Sequence, residues 1–113
     1  MKDFKKLLIW QKAMDLIVAV YRAVEQFPSD ERFGMKSQAT RSAVSIAANI
    51  AEGSAKSSQK DYKRFCEVAL GSCFELETHM LVAGRMGWLK SNEVVDQIIE
   101  EQKMLTSFIN KLG

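Results

Sequence analysis

The residues of this chain best suited to chemistry are one histidine, two cysteines and fourteen carboxylates, set against sixteen lysines and arginines. A di-iron centre in a helical bundle takes Glu-x-x-His pairs from facing helices. Here Leu76 stands three residues before His79, the only histidine. A zinc centre of His and Cys fails for want of ligands. A Ser-His-Asp or Cys-His apparatus would have to run through His79, which sits in an amphipathic stretch with no local signature around it. Cys66 and Cys73 are seven residues apart, about 10 Å along one helix, too far for a disulfide to bridge. Both read as small apolar residues, at home in a reducing cytoplasm. The glycines (34, 53, 71, 84, 87 and 113) are scattered and form no phosphate-cradling loop. No metal, cofactor or enzymatic activity is expected.

A second constellation is polar. Arg41, Ser45, Asn49 and Glu52 follow helical spacing beside a run of alanines, with Gln38 and Ser42 alongside. Glu75 and Glu77 flank Leu76, so one of them is expected to face inward or toward the Arg41 helix. An Arg41–carboxylate pair bridged by Asn49 would satisfy buried polar groups and fix helix register. Paired catalytic carboxylates would need a cleft and a second acid that the spacing does not supply. These six residues therefore read as a structural or interface network.

Four segments must position these residues, near 5–27, 35–54, 58–86 and 91–112. The breaks fall at Phe27-Pro28-Ser29-Asp30, at Glu52-Gly53-Ser54, and between Gly84 and Gly87. Trp10, Ala13, Ile17, Val20, Val24 and Phe27 form a helical stripe on the first segment. The second carries small residues, Ala39, Ala43, Ile46 and Ile50 with Ala47 and Ala51 beside them, which let a neighbouring helix approach closely. Ser58 and Asp61 open the third at capping-box spacing. Its stripe is Tyr62, Cys66, Ala69, Cys73, Leu76, Met80. Ser91 is the N-cap candidate of the fourth, whose stripe is Val94, Ile98, Leu105, Phe108, Leu112. No stretch alternates as a strand would. Short connections predict an all-α, antiparallel up-down-up-down four-helix bundle, one domain over residues 1–113.

The longest apolar run, Leu16–Tyr21, is far short of the roughly 20 residues that a membrane span needs. The lysine-rich start lacks the apolar core of a signal peptide, so a cytoplasmic protein is expected. Leu7, Leu8, Trp10, Trp88 and Leu89 cluster near helix ends, which points to self-association.

The net charge of +2 hides an asymmetry. Residues 1–64 hold twelve basic and seven acidic residues, and residues 65–113 hold four and seven. In an up-down bundle one pole would gather Lys2, Lys5, Lys6, Lys56, Lys60, Lys63, Arg64 and Lys111 against Asp3, Glu52 and Asp61. Lysines in the first turns of helices cost about 0.3–1 kcal/mol each against the macrodipole. Their placement therefore suits an anionic partner such as a phosphate backbone. Lys5, Lys6, Lys56, Lys60, Lys63 and Arg64 are the candidate nucleic-acid contacts, and Tyr62 and Phe65 lie among them as candidates for stacking on bases.

Several stretches resemble one family. Its opening is matched by Trp10-Gln11-Lys12-Ala13, Phe27-Pro28, Glu31-Arg32-Phe33-Gly34 and Ser37-Gln38. Its most recognisable stretch is matched by Arg41 with Ser45-Ile46-Ala47-Ala48-Asn49-Ile50-Ala51-Glu52-Gly53. Its third-helix signature is matched by Ala69-Leu70-Gly71-Ser72 and Glu75-Leu76-Glu77-Thr78. This is the four-helix-bundle family encoded in intervening sequences of bacterial large-subunit ribosomal RNA genes, sometimes labelled a ribosomal protein. Relatives serve as accessory proteins of diversity-generating retroelements. The resemblance implies a homopentameric ring with a basic surface, and partners that are RNA, DNA or another protein. Where the family often has proline, this chain has Ala47, so its second helix need not bend there. Two functions compete: nucleic-acid binding through the basic pole, and a protein-interaction scaffold without intrinsic nucleic-acid binding.

Overall fold

A computed structural model describes residues 3–113; Lys2 lies outside the described residues. The described chain is all helical and contains no strand. Asp3 caps a 3-10 turn, Phe4–Lys6, its side chain accepting from the Lys5 N–H at 3.2 Å. Helix α1, Leu8–Ala23, follows with no side-chain cap and no acid in its first turn. It ends earlier than its apolar pattern suggests. A proline disfavours αR backbone in the residue before it. Accordingly Phe27 is extended (φ −74°, ψ 152°), and Val24–Gln26 tightens into a 3-10 turn before Pro28.

The buried stripe of α1 is Ile9, Ala13, Leu16, Val20 and Ala23. Trp10 and Ile17, expected at its centre, are half-buried at its edge. The arc was wide enough to admit either registration, and packing chose the one that leaves Trp10 beside Phe4, ring centroids 5.2 Å apart.

Helix α2, Met35–Ser54, runs without interruption through Ala47. It buries Ala39, Ala43, Ile46, Ala47 and Ile50 as its small-residue pattern predicts. Helix α3, Gln59–Arg85, starts where expected, with the Ser58 hydroxyl accepting from the Asp61 N–H at 3.1 Å. Its predicted stripe is buried in full and extended by Ala83. The helix stops in a Schellman arrangement. Gly87 adopts φ 78°, Trp88 N–H donates to the Ala83 carbonyl, and Gly87 N–H to Gly84. Helix α4, Glu93–Lys111, begins one residue later than a Ser91 cap implies; the cap position is Asn92, and the Ser91 hydroxyl accepts from Glu93 N–H at 3.1 Å. Ile109 takes the core position, leaving Phe108 and Leu112 half-buried.

One cluster of buried side chains draws on all four α-helices. Fully buried Leu16, Ile46, Leu76, Ile98 and Leu105 each contribute about 1.5–3 kcal/mol of transfer free energy. Cys66 and Cys73 are free and buried in this packing. A smaller cluster of Tyr62, Cys66 and Ile109 closes the other end of the core. The α2–α3 contact is the most extensive between helices, followed by α3–α4, α1–α2 and α1–α4. Gly53 explains part of that closeness. A Cβ there would lie 2.9 Å from the Phe65 Cβ and 3.2 Å from the Tyr62 carbonyl oxygen. Among the described residues, no helix is long and apolar enough to cross a membrane.

Candidate nucleic-acid interface

The end of α2 and the first turns of α3 hold most of the predicted cations. Lys56 Nζ lies 4.7 Å from the centroid of the Phe65 ring, and the Arg64 guanidinium carbon lies 5.5 Å from it. Phe65 is half-buried, so two cations share one aromatic surface at the protein's edge. Lys60 is exposed and Lys63 half-buried on the same opening turns. Asp61 opposes them weakly: its carboxylate is 3.9 Å from Arg64, and both side chains are more than half exposed. The structure thus brings Lys56 and Arg64 together, with Lys60 and Lys63 on adjoining helical positions. Lys5 and Lys6 are exposed on the 3-10 turn that packs against α2, with Lys5 Nζ 5.9 Å from the Phe4 ring.

Tyr62 does not share that surface. It is 1% exposed, its ring 5.7 Å from that of Phe108, and burial raises its phenol pKa. It is a core residue, which leaves Phe65 as the aromatic among the cations.

The polar stripe divides. Asn49 donates to the Ser45 carbonyl (2.8 Å) and hydroxyl (2.9 Å), and the Ser45 and Ser72 hydroxyls meet at 2.9 Å across α2 and α3. Ser72, which the spacing did not single out, completes this link. Arg41 and Glu52 are exposed and stand outside it, and neither side chain has a hydrogen-bond or ion-pair partner among the described residues. The Arg41–carboxylate pair bridged by Asn49 is not formed within the chain. Glu75 pairs with His79 on its own helix at 3.3 Å. Glu77 accepts from Gln102 of α4 at 2.7 Å. Glu77 therefore faces α4, and neither glutamate pairs with a side chain of α2.

The least expected group is Glu101. It is 2% exposed, and neither carboxylate oxygen has a hydrogen-bond partner among the described residues. Burial pushes its pKa up to about 8; Glu100 adds to the rise and Lys12 offsets part of it. It lines a cavity of about 70 Å³ with Lys12, Asp15, Leu16, Gln97 and Glu100. The same interior drives the Cys66 thiol to about 11 and that of Cys73 higher still, so both remain protonated. A signal for Glu101 existed. The α4 stripe steps from Ile98 to Leu105, and Glu101 occupies the vacant core position between them.

Four helices around an apolar core, with a cationic corner at the α2–α3 turn, define an all-helical bundle protein. The model of the 23S rRNA-intervening sequence protein family matches residues 5–110, so the chain belongs to that family. It is also similar to a crystal structure of a protein of unknown function from the S23 ribosomal protein family of Bacteroides thetaiotaomicron VPI-5482. That likeness has a TM-score of 0.82 and 23% identity, covering 91% of this chain and 96% of that one; it speaks to the fold. No curated protein matches the chain.

Proposed function

We propose that this protein is a cytoplasmic, non-enzymatic, antiparallel up-down-up-down bundle that binds structured RNA or DNA through phosphate contacts. In this reading it assembles as a homo-oligomeric ring, of five copies as the family resemblance implies. Lys5, Lys6, Lys56, Lys60, Lys63 and Arg64 position the nucleic-acid backbone. The observation carrying the proposal is the Lys56–Phe65–Arg64 corner, where among the described residues the one ion pair is the loose Arg64–Asp61 contact. Lysines and arginines held this way read charge rather than base identity. A ring would repeat the corner, so that weak contacts act together.

Contacts between helix ends support the antiparallel reading. Gln59 at the start of α3 donates to the Leu112 carbonyl beyond α4 (3.0 Å), and Phe27 meets Trp88 at 5.5 Å.

The scaffold reading draws on a different observation. Met14, Val18 and Tyr21 on α1, and Phe74, Leu81, Val82 and Met86 on α3, are 42–59% exposed. Apolar faces of that kind suit protein contacts.

Fluorescence anisotropy separates the two. Labelled structured RNA and a DNA duplex are titrated at about 50 and 200 mM salt, where several phosphate contacts imply an affinity loss of orders of magnitude. The binding should vanish in a Lys60→Glu, Lys63→Glu, Arg64→Glu variant. Absence of binding in the wild type, with its assembly intact, defeats the nucleic-acid reading and leaves the scaffold.

A further inference from the structure

A second cationic surface lies between the start of α1 and the end of α4. It is an open groove of about 480 Å³ with an apolar floor of Leu7, Leu8, Ile9, Met104 and Phe108. Three lysines rim it, Lys6 on one side and Lys103 and Lys111 on the other, and no acid lines it. Leu8 is 57% exposed on that floor, and Met104 and Phe108 are half-buried. The acids of α4 lie elsewhere: Glu93, Asp96, Glu100 and Glu101 all precede Lys103. Helix α4 is therefore acidic over its first half and purely basic along the groove.

We propose that this groove docks an acidic amphipathic helix of a partner protein. Two features select that occupant. The walls are two helices, and an apolar channel between helices accepts the apolar stripe of a third. Lys103 and Lys111 are eight residues apart, which places them about 12 Å, or two turns, apart along α4. A single carboxylate on an acyl chain meets one of these lysines. A helix with carboxylates seven or eight residues apart on the flank of its apolar stripe meets both. A nucleic-acid backbone would satisfy the lysines but leave the exposed Leu8 side chain against phosphate. The proposal goes beyond the phosphate-binding reading and does not depend on it: of the three rim lysines only Lys6 belongs to the set proposed to bind phosphate, and the charge variant of the groove changes Lys103 and Lys111 alone.

The probe is a fluorescein-labelled synthetic helix of about 18 residues, long enough to hold helical structure. It carries a leucine stripe flanked by glutamates, and its partner peptide has lysine at every glutamate. Anisotropy is read against the wild-type protein, a Lys103→Glu, Lys111→Glu variant, a Leu8→Asn variant, and the Lys60→Glu, Lys63→Glu, Arg64→Glu variant. Circular dichroism melts and light-scattering mass accompany each protein.

The acidic peptide should bind the wild type, and the basic peptide should not. The Lys103/Lys111 variant should weaken binding about tenfold or more, and Leu8→Asn should weaken it severalfold. The α3 variant, which would have lost nucleic acid, should keep the peptide within about twofold. Three results overturn the proposal. One is no binding by the wild type. Another is equal loss in both charge variants, which would mean bulk attraction. The third is a changed assembly mass in the Lys103/Lys111 variant, which would mean that a second copy of this chain covers the groove.

Discussion

Where α2 meets α3, Gly53 lets the backbones close to the point that a single added methyl would collide with Phe65, and the Ser45 hydroxyl, held by Asn49 of its own helix, hydrogen-bonds across the contact to Ser72. Where α1 meets α4, the least extensive of the four contacts, the helices enclose a polar cavity at Glu101 and leave an open groove at Leu8 and Phe108. The first contact spends its small residues on closeness and satisfies its polar groups. The second holds a carboxyl with no hydrogen-bond partner among the described residues, and the lysines along its groove are exposed. Stability is thus concentrated on one side of the molecule, and the other side keeps surface that packing has not consumed. Proteins draw their binding surfaces from such less consolidated regions.

The largest expected effect lies at Glu101. Its pKa stands at about 8 in the folded chain against an ordinary carboxyl value near 4.5. The folded state therefore holds a proton that the unfolded state releases in this window. Stability is fully present below about pH 4.5 and is lost as pH rises toward about 8. Glu101→Gln should match the wild type near pH 5 and exceed it by about 2–4 kcal/mol near pH 9, read as urea midpoints at each pH. Parallel pH profiles for the two proteins would mean that the carboxyl is solvated and the cavity is not a weak point.

The next effect tests the tight contact by asking one substitution to act with opposite signs. Gly53→Ala gains about 1 kcal/mol of helix propensity but must displace the Phe65 Cβ, with a net loss of about 1–3 kcal/mol. At Gly71 and Gly84, both within α3, an added Cβ meets nothing within 4 Å. Alanine at either should raise the melting temperature, by about 0.5–1 kcal/mol of stability. Thermal melts of the three variants decide it. Stabilisation at all three positions would show that α2 and α3 can separate freely.

How much of this was legible in the sequence follows from the physics of each position. The α3 stripe was readable because Tyr62 and Leu76 stand between polar residues (Asp61 and Lys63, Glu75 and Glu77), and helical steps from those two anchors fix Cys66, Ala69, Cys73 and Met80. The α1 stripe was not, because Leu16, Ile17, Val18, Ala19 and Val20 are all apolar and any could face inward. The Lys56, Lys60, Lys63 and Arg64 cluster was readable because its members are neighbours in sequence. Ser72 and Gln102 were not, because each gains its meaning from a residue more than twenty positions away. Glu101 was missed because charge on an apolar stripe reads as an interruption, and only packing reveals that the stripe continues through it.

A smaller effect belongs to the Ser45–Ser72 link. Each alanine substitution should cost about 0.5–1.5 kcal/mol, and a double-mutant cycle should return a coupling of similar size. Coupling near zero would leave Gly53 as the main reason the two helices lie so close.

The smallest effect on stability is expected at Arg41, and it bears on whether the α2 surface has work to do outside the chain. Arg41 is exposed and outside the Ser45–Asn49–Ser72 link, so Arg41→Ala should change stability by less than about 0.5 kcal/mol. An arginine whose side chain has no partner among the described residues still offers a rigid fork of donors to another molecule. If that molecule is a second copy, Arg41→Ala should leave the melt at low concentration unchanged while lowering the mass seen by sedimentation. A lowered melting temperature would instead place Arg41 within the fold's own polar network. No change in either measurement would leave the residue without an interface role, and the α2–α3 side would then be stable scaffold alone.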